Sequence, residues 1–233
     1  MLKIENLNKS YGHTPVLHQL NINFNIGEVV GIMGPNGSGK TTLIKCILGL
    51  TQANSGKITF DSIPQSNQDK YKKAFGYMPQ IGRYPENMQI IELFDLIKSM
   101  RENELDNLDE ELWNSFKLDK MKEQKLGSLS GGTIQKVSAA LAYLFKPKVI
   151  VLDEPTAGLD PLATEILKEK IAKEANEKIT LITSHILSDL EELTSHILYL
   201  NKQSILLHSS VEELKNKEGK LQLNKLIAEL LKD

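Results

Sequence analysis

GPNGSGKTT, from Gly34 to Thr42, decides how the rest of the chain is read. It satisfies the spacing G-x-x-x-x-G-K-[ST], with Gly34 and Gly39 as the fixed glycines, followed by Lys40 and Thr41. Each piece has a physical task. Glycines at 34, 37 and 39, with Pro35, Asn36 and Ser38 between them, let backbone N–H groups converge on phosphate oxygens. Lys40 adds a positive charge, Thr41 offers a hydroxyl to magnesium, and Thr42 leads into a helix whose N-terminal dipole faces the anion. The flanks agree with this. EVVGIMG (Glu28 to Gly34) is a nearly continuous apolar run, the pattern of a strand buried on both faces of a parallel sheet. After the loop, Leu43, Ile44, Ile47 and Leu48 recur at helical spacing. A chance glycine-rich turn would lack both neighbours.

Two further segments enlarge the site. VIVLDE (Val149 to Glu154) is an apolar strand ending in two acids, and open α/β sheets bind ligands at the carboxyl ends of their strands. Asp153 is placed to hold magnesium through water, and Glu154, one residue further out, to orient or deprotonate an attacking water. Taken alone, such a pair is as readily a helix-starting turn. LSGGTIQK (Leu129 to Lys136) sets Ser130, Gly131 and Gly132 ahead of the apolar SAALAYLF, a second helix N-terminus able to hold an anion. Taken alone, it is more often an ordinary serine cap.

Composition narrows the field. The 233 residues suffice for one large α/β domain, or for a core with an inserted lobe. The 28 basic and 30 acidic side chains leave a net charge of −2, so nucleic acid is not an expected partner. One cysteine, Cys46, permits no disulfide within the chain and no Cys-pair metal site. No apolar stretch approaches the ~20 residues that cross a bilayer, and MLKIENLNKSYG reads as a strand rather than a leader. A cytoplasmic protein is expected, with any membrane role exercised through another chain.

Along the chain, LKIENL, LHQLNINF and KITF read as antiparallel strands broken by Gly12, Gly27 and Gly56. From Ile90 to Gly127 the pattern turns helical, with one stripe of Ile90, Leu93, Phe94 and Ile97 and another of Leu108, Leu112 and Phe116. The expected division is a single domain over 1–233, with a core lobe at about 1–68 and 146–210, a helical lobe at about 69–145 and a C-terminal helix at about 211–233. After Glu154 the α/β pattern resumes as helix, strand (TLITSH) and helix, and HILYLNK with SILLHSS forms a closing hairpin. Ser210 and Glu213 form a capping box ahead of a last amphipathic segment carrying Leu223, Leu226, Ile227 and Leu230.

With these motifs in one chain, the sequence resembles the nucleotide-binding subunits of ABC transporters over nearly its whole length. The fold implied is α/β: a P-loop NTPase core of ABC ATPase type, with an N-terminal antiparallel β region and an inserted helical lobe. The resemblance implies ATP and Mg²⁺ as ligands. It also implies a head-to-tail homodimer in which the Ser130–Gly132 segment of one copy closes over the ATP held by the glycine loop of the other. Integral membrane permease subunits are the further partners implied, with this chain peripheral on the cytoplasmic face of the cell membrane.

Single positions carry over on the same ground. Tyr11, in NKSYG, matches the aromatic that stacks on adenine. Gln80, in GYMPQ, matches the glutamine that reaches magnesium and the attacking water, and His185, ending TLITSH, the histidine at the γ-phosphate. Asp160, in AGLDP, matches the loop that meets the partner subunit. The family's usual glutamine and arginine after Ser-Gly-Gly are here Thr133 and Lys136, and a lysine does not reproduce an arginine fork. SGGTIQKVSAALAYLF and GYMPQIGRYPENM look most like the ATPase subunit of the copper-linked transporter that serves nitrous oxide reductase maturation, although no Cys pair or His-rich tract holds copper here. The competing readings are a soluble ABC ATPase of the iron–sulfur assembly type and a regulatory module that binds ATP without turnover. The segment from Gln80 to Met88, with Tyr84 as its aromatic anchor, and the helix from Ile90 to Met100 form the expected docking surface for a membrane partner.

Overall fold

VVGIM folds as strand β3 (Val29–Met33), buried at every residue. Alternate side chains of a strand face opposite ways. Val30 and Ile32 therefore enter one apolar cluster, and Val29 and Met33 another. Strand β7 (Val149–Asp153) divides in the same manner, with Val149 and Val151 on one side and Ile150 and Leu152 on the other. Burial on two faces is why both strands read as unbroken apolar runs. Each such side chain contributes roughly 1.5–3 kcal/mol relative to exposure, enough to fix these strands at the centre.

The computed structural model describes residues 1–184 and 187–218. Its larger sheet has six strands in the order β10-β9-β3-β8-β7-β6, where β6 is Phe75–Met78, β8 Ile179–Thr183, β9 His196–Asn201 and β10 Ser204–Ser210. Neighbours run parallel except the hairpin of β9 and β10. The smaller sheet is antiparallel, in the order β2-β1-β4-β5, from β1 (Leu2–Tyr11), β2 (Thr14–Phe24), β4 (Ser55–Phe60) and β5 (Ile63–Pro64). Its inner residues, such as Leu2, Leu20 and Phe60, share a core with Leu43, Ile44 and Ile47 of helix α1 (Lys40–Ile47). The strands expected in the first third are those observed.

Over 69–145 the structure differs from expectation. Helix α2 (Gln68–Lys73) leads into β6, which pairs in parallel with β7 from Phe75↔Val149 to Met78↔Leu152. The inserted lobe therefore begins after Met78, because the first ten residues of the expected lobe belong to the core. FGYM is only four residues long and follows the lysine-rich QDKYKK, which is why it does not announce a strand. Beyond it lie α3 (Ile90–Ser99), α4 (Glu111–Ser115) and α5 (Gly131–Tyr143), joined by 3-10 turns. Both expected stripes face inward: Ile90, Leu93, Phe94, Leu112 and Phe116 are buried, while Ile97 and Leu108 are half-buried against them. Helix α3 opens on a capping box, with Glu92 Oε2 accepting from the Gln89 N–H at 2.8 Å.

Helix α6 (Pro161–Glu174) ties this lobe to the core through a buried cation. Lys170 Nζ lies 2.6 Å from Asp109 Oδ2, 2.7 Å from Glu111 Oε2 and 3.0 Å from Glu174 Oε1, with its side chain 2 % exposed. Burial alone would lower the Lys170 ammonium; Asp109, Glu111 and Glu174 outweigh it and hold the group above the usual lysine range. After α7 (Leu187–Leu193), helix α8 (Val211–Glu218) starts at the expected capping box, where the Glu213 N–H donates to Ser210 Oγ at 3.1 Å and the Ser210 N–H to Glu213 Oε2 at 3.3 Å. Leu223, Leu226, Ile227 and Leu230 lie outside the described residues. Among the described residues, no helix is long and apolar enough to cross a membrane.

Candidate active site

The glycine loop leaves β3 and enters α1 through Gly39, whose φ of +103° is a left-handed value that side chains disfavour. A Cβ there would lie 2.9 Å from the Val16 carbonyl oxygen, so the loop sits directly against β2. Lys40 Nζ folds back and donates to the carbonyls of Gly34 (2.7 Å) and Pro35 (3.0 Å). Burial pushes the Lys40 ammonium below its ordinary range, with Glu154 and Asp153 pulling the other way. Ser38 Oγ is buried and has no protein partner. A buried hydroxyl without a protein partner is costly.

Asp153 ends β7 and is 8 % exposed. The parallel register sets it beside Thr183 on β8, and the Thr183 hydroxyl donates to Asp153 Oδ1 at 2.5 Å. Thr183 also fixes the next residue: the Glu154 N–H donates to the Thr183 carbonyl at 3.0 Å and to its Oγ1 at 3.1 Å. These contacts hold Glu154 at φ +51°. A left-handed residue other than glycine costs roughly 1–2 kcal/mol, and such strain persists where surrounding contacts over-determine it, often at functional sites.

Together these elements line a cleft of about 360 Å³. Asn36, Gly37, Gly39, Lys40, Thr41, Thr42, Gln80, Asp153 and Glu154 all face it, and Val16, Thr183 and Ser184 join them. One end is cationic and rich in N–H donors. The other carries a hydroxyl, an amide and two carboxylates. That donor set fits a nucleoside phosphate with a hard, oxygen-seeking cation such as magnesium, which keeps few protein ligands and takes the rest from phosphate and water. Among the described residues no group of three His, Cys, Asp or Glu forms a metal cluster.

Other expected residues do not reach this cleft. Tyr11 is 49 % exposed at the end of β1, with Lys9 Nζ 4.8 Å from its ring centroid. Ser130 caps α5, its Oγ accepting from the Thr133 N–H at 3.2 Å, and neither it nor Gly131 nor Gly132 lines the cleft. Gly132 is instead pressed against the loop before α6, where a Cβ would lie 2.6 Å from the Gly158 carbonyl. Asp160 caps α6 by accepting from the Ala163 N–H at 2.9 Å, and its Oδ2 accepts from Lys136 Nζ at 2.5 Å. Lys136 holds the Asp160 carboxyl below its usual range. His185 lies outside the described residues. The residue that motif reading passed over is Thr183; its signal was the strand register, which pairs TLIT with VIVLD.

The family model for ABC transporters matches residues 17–157. The chain belongs to the ABC transporter ATP-binding family. It is 32 % identical to the lantibiotic transport ATP-binding protein SrtF of Streptococcus pyogenes, over 94 % of each chain. It is 31 % identical to the lipopolysaccharide export system ATP-binding protein LptB of Haemophilus influenzae, again over 94 % of each. Among solved structures, an ATP-binding subunit of an ABC transporter superposes with a TM-score of 0.91 at 26 % identity, covering 99 % of both chains. The dimeric structure of a bacterial ABC transporter cassette shares the fold, with a TM-score of 0.78 at 24 % identity over 91 % of this chain and 99 % of that one. This ABC ATPase thus has the α/β fold with the antiparallel N-terminal sheet that its motifs imply.

Proposed function

We propose that the cleft between the glycine loop and β7 hydrolyses ATP, and that a second copy of the chain completes it. The observation that carries this is the absence of Ser130–Gly132 from the cleft of its own chain, although they form a capped helix N-terminus suited to phosphate. A head-to-tail homodimer would bring that segment over the γ-phosphate of the other copy.

In this reading, backbone N–H groups of residues 36–42, the Ser38 hydroxyl and Lys40 bind the phosphates. Thr41, Gln80 and Asp153 would hold magnesium, which when bound neutralises phosphate charge. Glu154 takes a proton from the water that attacks the γ-phosphorus, while the bond to the ADP oxygen breaks. Tyr11, at the hairpin next to Val16, is assigned to adenine, His185 to the γ-phosphate, and Asp160 to the partner contact. The driven partners are integral membrane permease subunits, with this chain on the cytoplasmic face. Relatives named for lantibiotic transport and lipopolysaccharide export favour this over a soluble assembly ATPase or a regulatory module. The finer reading, a subunit serving nitrous oxide reductase maturation, rests on two stretches of sequence alone; those relatives lend no support to copper handling.

Docking is reassigned by one observation. Tyr84 is not an exposed anchor: its ring packs into the core cluster and its hydroxyl lies 2.8 Å from Ser138 Oγ on α5. The outward apolar groups of the segment are Ile81, 66 % exposed, Leu96, 40 % exposed, and Met100, 68 % exposed.

Glu154→Gln tests the proposal. It should cut phosphate release by about 10²–10⁴-fold, the usual cost of losing a general base, yet elute as a dimer when ATP is added. Hydrolysis near the wild-type rate would remove Glu154 from the role of base.

A further inference from the structure

Residues 80–84 are laid along helix α5. The Gln135 amide Nε2 donates to the Gln80 carbonyl at 2.5 Å, although Gln135 is 6 % exposed and does not touch the cleft. Gly82 follows the same surface: a Cβ there would lie 2.5 Å from Ser138 Oγ and 2.9 Å from Ile134. Tyr84 closes the contact. Ser138 Oγ spends its one proton on the Ile134 carbonyl at 2.9 Å, so the Tyr84 hydroxyl must donate in the 2.8 Å bond between them. Further on, the Leu126 N–H donates to the Met88 carbonyl at 2.9 Å and the Gly127 N–H to the Glu86 carbonyl at 3.0 Å. The loop is therefore held at both ends by the segment that carries Ser130.

The Gln135 side chain is not there for stability. Its Oε1 is buried without a partner, a cost that an apolar side chain of similar size would avoid. Turning the amide over would set that oxygen against the Gln80 carbonyl, so the orientation is dictated by the one bond it makes. A buried amide retained with half its capacity unused is explained by what the other half fixes.

We propose that Gln135 is a positioning residue, which sets the Gln80 main chain over the cleft and joins Gln80 to the Ser130 cap as one rigid piece. Gln135 lies five residues into α5 from Ser130, roughly 7.5 Å along the helix. This role rests on the reading of Gln80 as a cleft residue of the ATPase.

The test is a double-mutant cycle of Gln80→Ala and Gln135→Leu in the full chain, with hydrogen exchange of the 80–84 amides measured without nucleotide. Gln135→Leu should lower kcat about tenfold with KM for ATP within about twofold, since Lys40 and the loop still hold the phosphates. Its thermal midpoint should match or exceed wild type, and exchange over 80–84 should quicken at least fivefold. In the Gln80→Ala background the same change should alter kcat less than twofold. Independent effects of the two substitutions, or a kcat loss that follows a falling midpoint, would overturn the inference and leave the ATPase reading intact. If Gln80→Ala itself leaves kcat unchanged, Gln80 loses its assigned role, and unquickened exchange in Gln135→Leu then overturns the positioning as well. Tyr84→Phe, which keeps the ring and removes one hydroxyl, should quicken the same exchange; unaltered exchange counts against the proposal.

Discussion

Thr183→Val is the most exacting test of how the acidic end of the cleft is built. The two side chains are nearly the same size, and Thr183 is 4 % exposed, so the substitution removes a hydroxyl and leaves packing in place. What is lost is the 2.5 Å bond from that hydroxyl to Asp153 Oδ1. The Glu154 N–H keeps the Thr183 carbonyl at 3.0 Å, so its weaker contact to Oγ1 adds little. A hydrogen bond to a charged group is worth about 1.5–3 kcal/mol. With a urea m-value of roughly 1–3 kcal/mol/M, the midpoint of nucleotide-free protein should fall by about 1 M. Repeating the substitution in an Asp153→Asn background should cost less, since a bond between neutral groups contributes only about 0.5–1.5 kcal/mol. A midpoint shift under about 0.3 M on that same scale, or an equal loss beside Asn, would show that Thr183 does not hold Asp153.

Lys170→Met strips the cation from three carboxylates and should destabilise the chain by about 3–5 kcal/mol, the cost of unpairing a buried ion. Because the Lys170 ammonium is raised, its contribution is fully present below the ordinary lysine value of about 10.4 and is lost only as pH climbs through the higher folded value. The stability gap between variant and wild type should hold steady from about pH 7 to 10 in urea melts; a gap that closes over that range would contradict it. Gly132→Ala places a methyl 2.6 Å from the Gly158 carbonyl, and overpacking of this kind costs about 1–3 kcal/mol. It should lower the melting midpoint and slow hydrolysis together, whereas Gly131→Ala, with open space around it, should leave the midpoint unchanged.

Local motifs were readable where the chemistry is local. The glycine loop, the strand before it and the helix after it are contiguous, so Gly34 to Thr42 declared both fold and ligand, and β3 and β7 showed two-sided burial in their composition. Contacts made by register or by packing were not readable. Thr183 reaches Asp153 only because β8 lies beside β7 in parallel, thirty positions away in the chain. Tyr84, between an arginine and a proline, has the look of a surface anchor, and only the path of the loop over α5 turns it inward. Likewise β6 is only four residues long, and its place in the sheet is set by its neighbours. Lys170 sits in a helix of ordinary charged appearance, and nothing in that pattern marks one lysine as buried.

The shared site can be read out by a distance. Asn36 is exposed in the cleft and Ser130 is exposed at the cap of α5, while Cys46 is fully buried and will not react. A chain carrying Asn36→Cys, Ser130→Cys and Glu154→Gln is treated with a short thiol crosslinker, with and without ATP. The account predicts a covalent dimer, at twice the chain mass, that forms only with ATP. A crosslink confined within single chains, or none that depends on ATP, would contradict it.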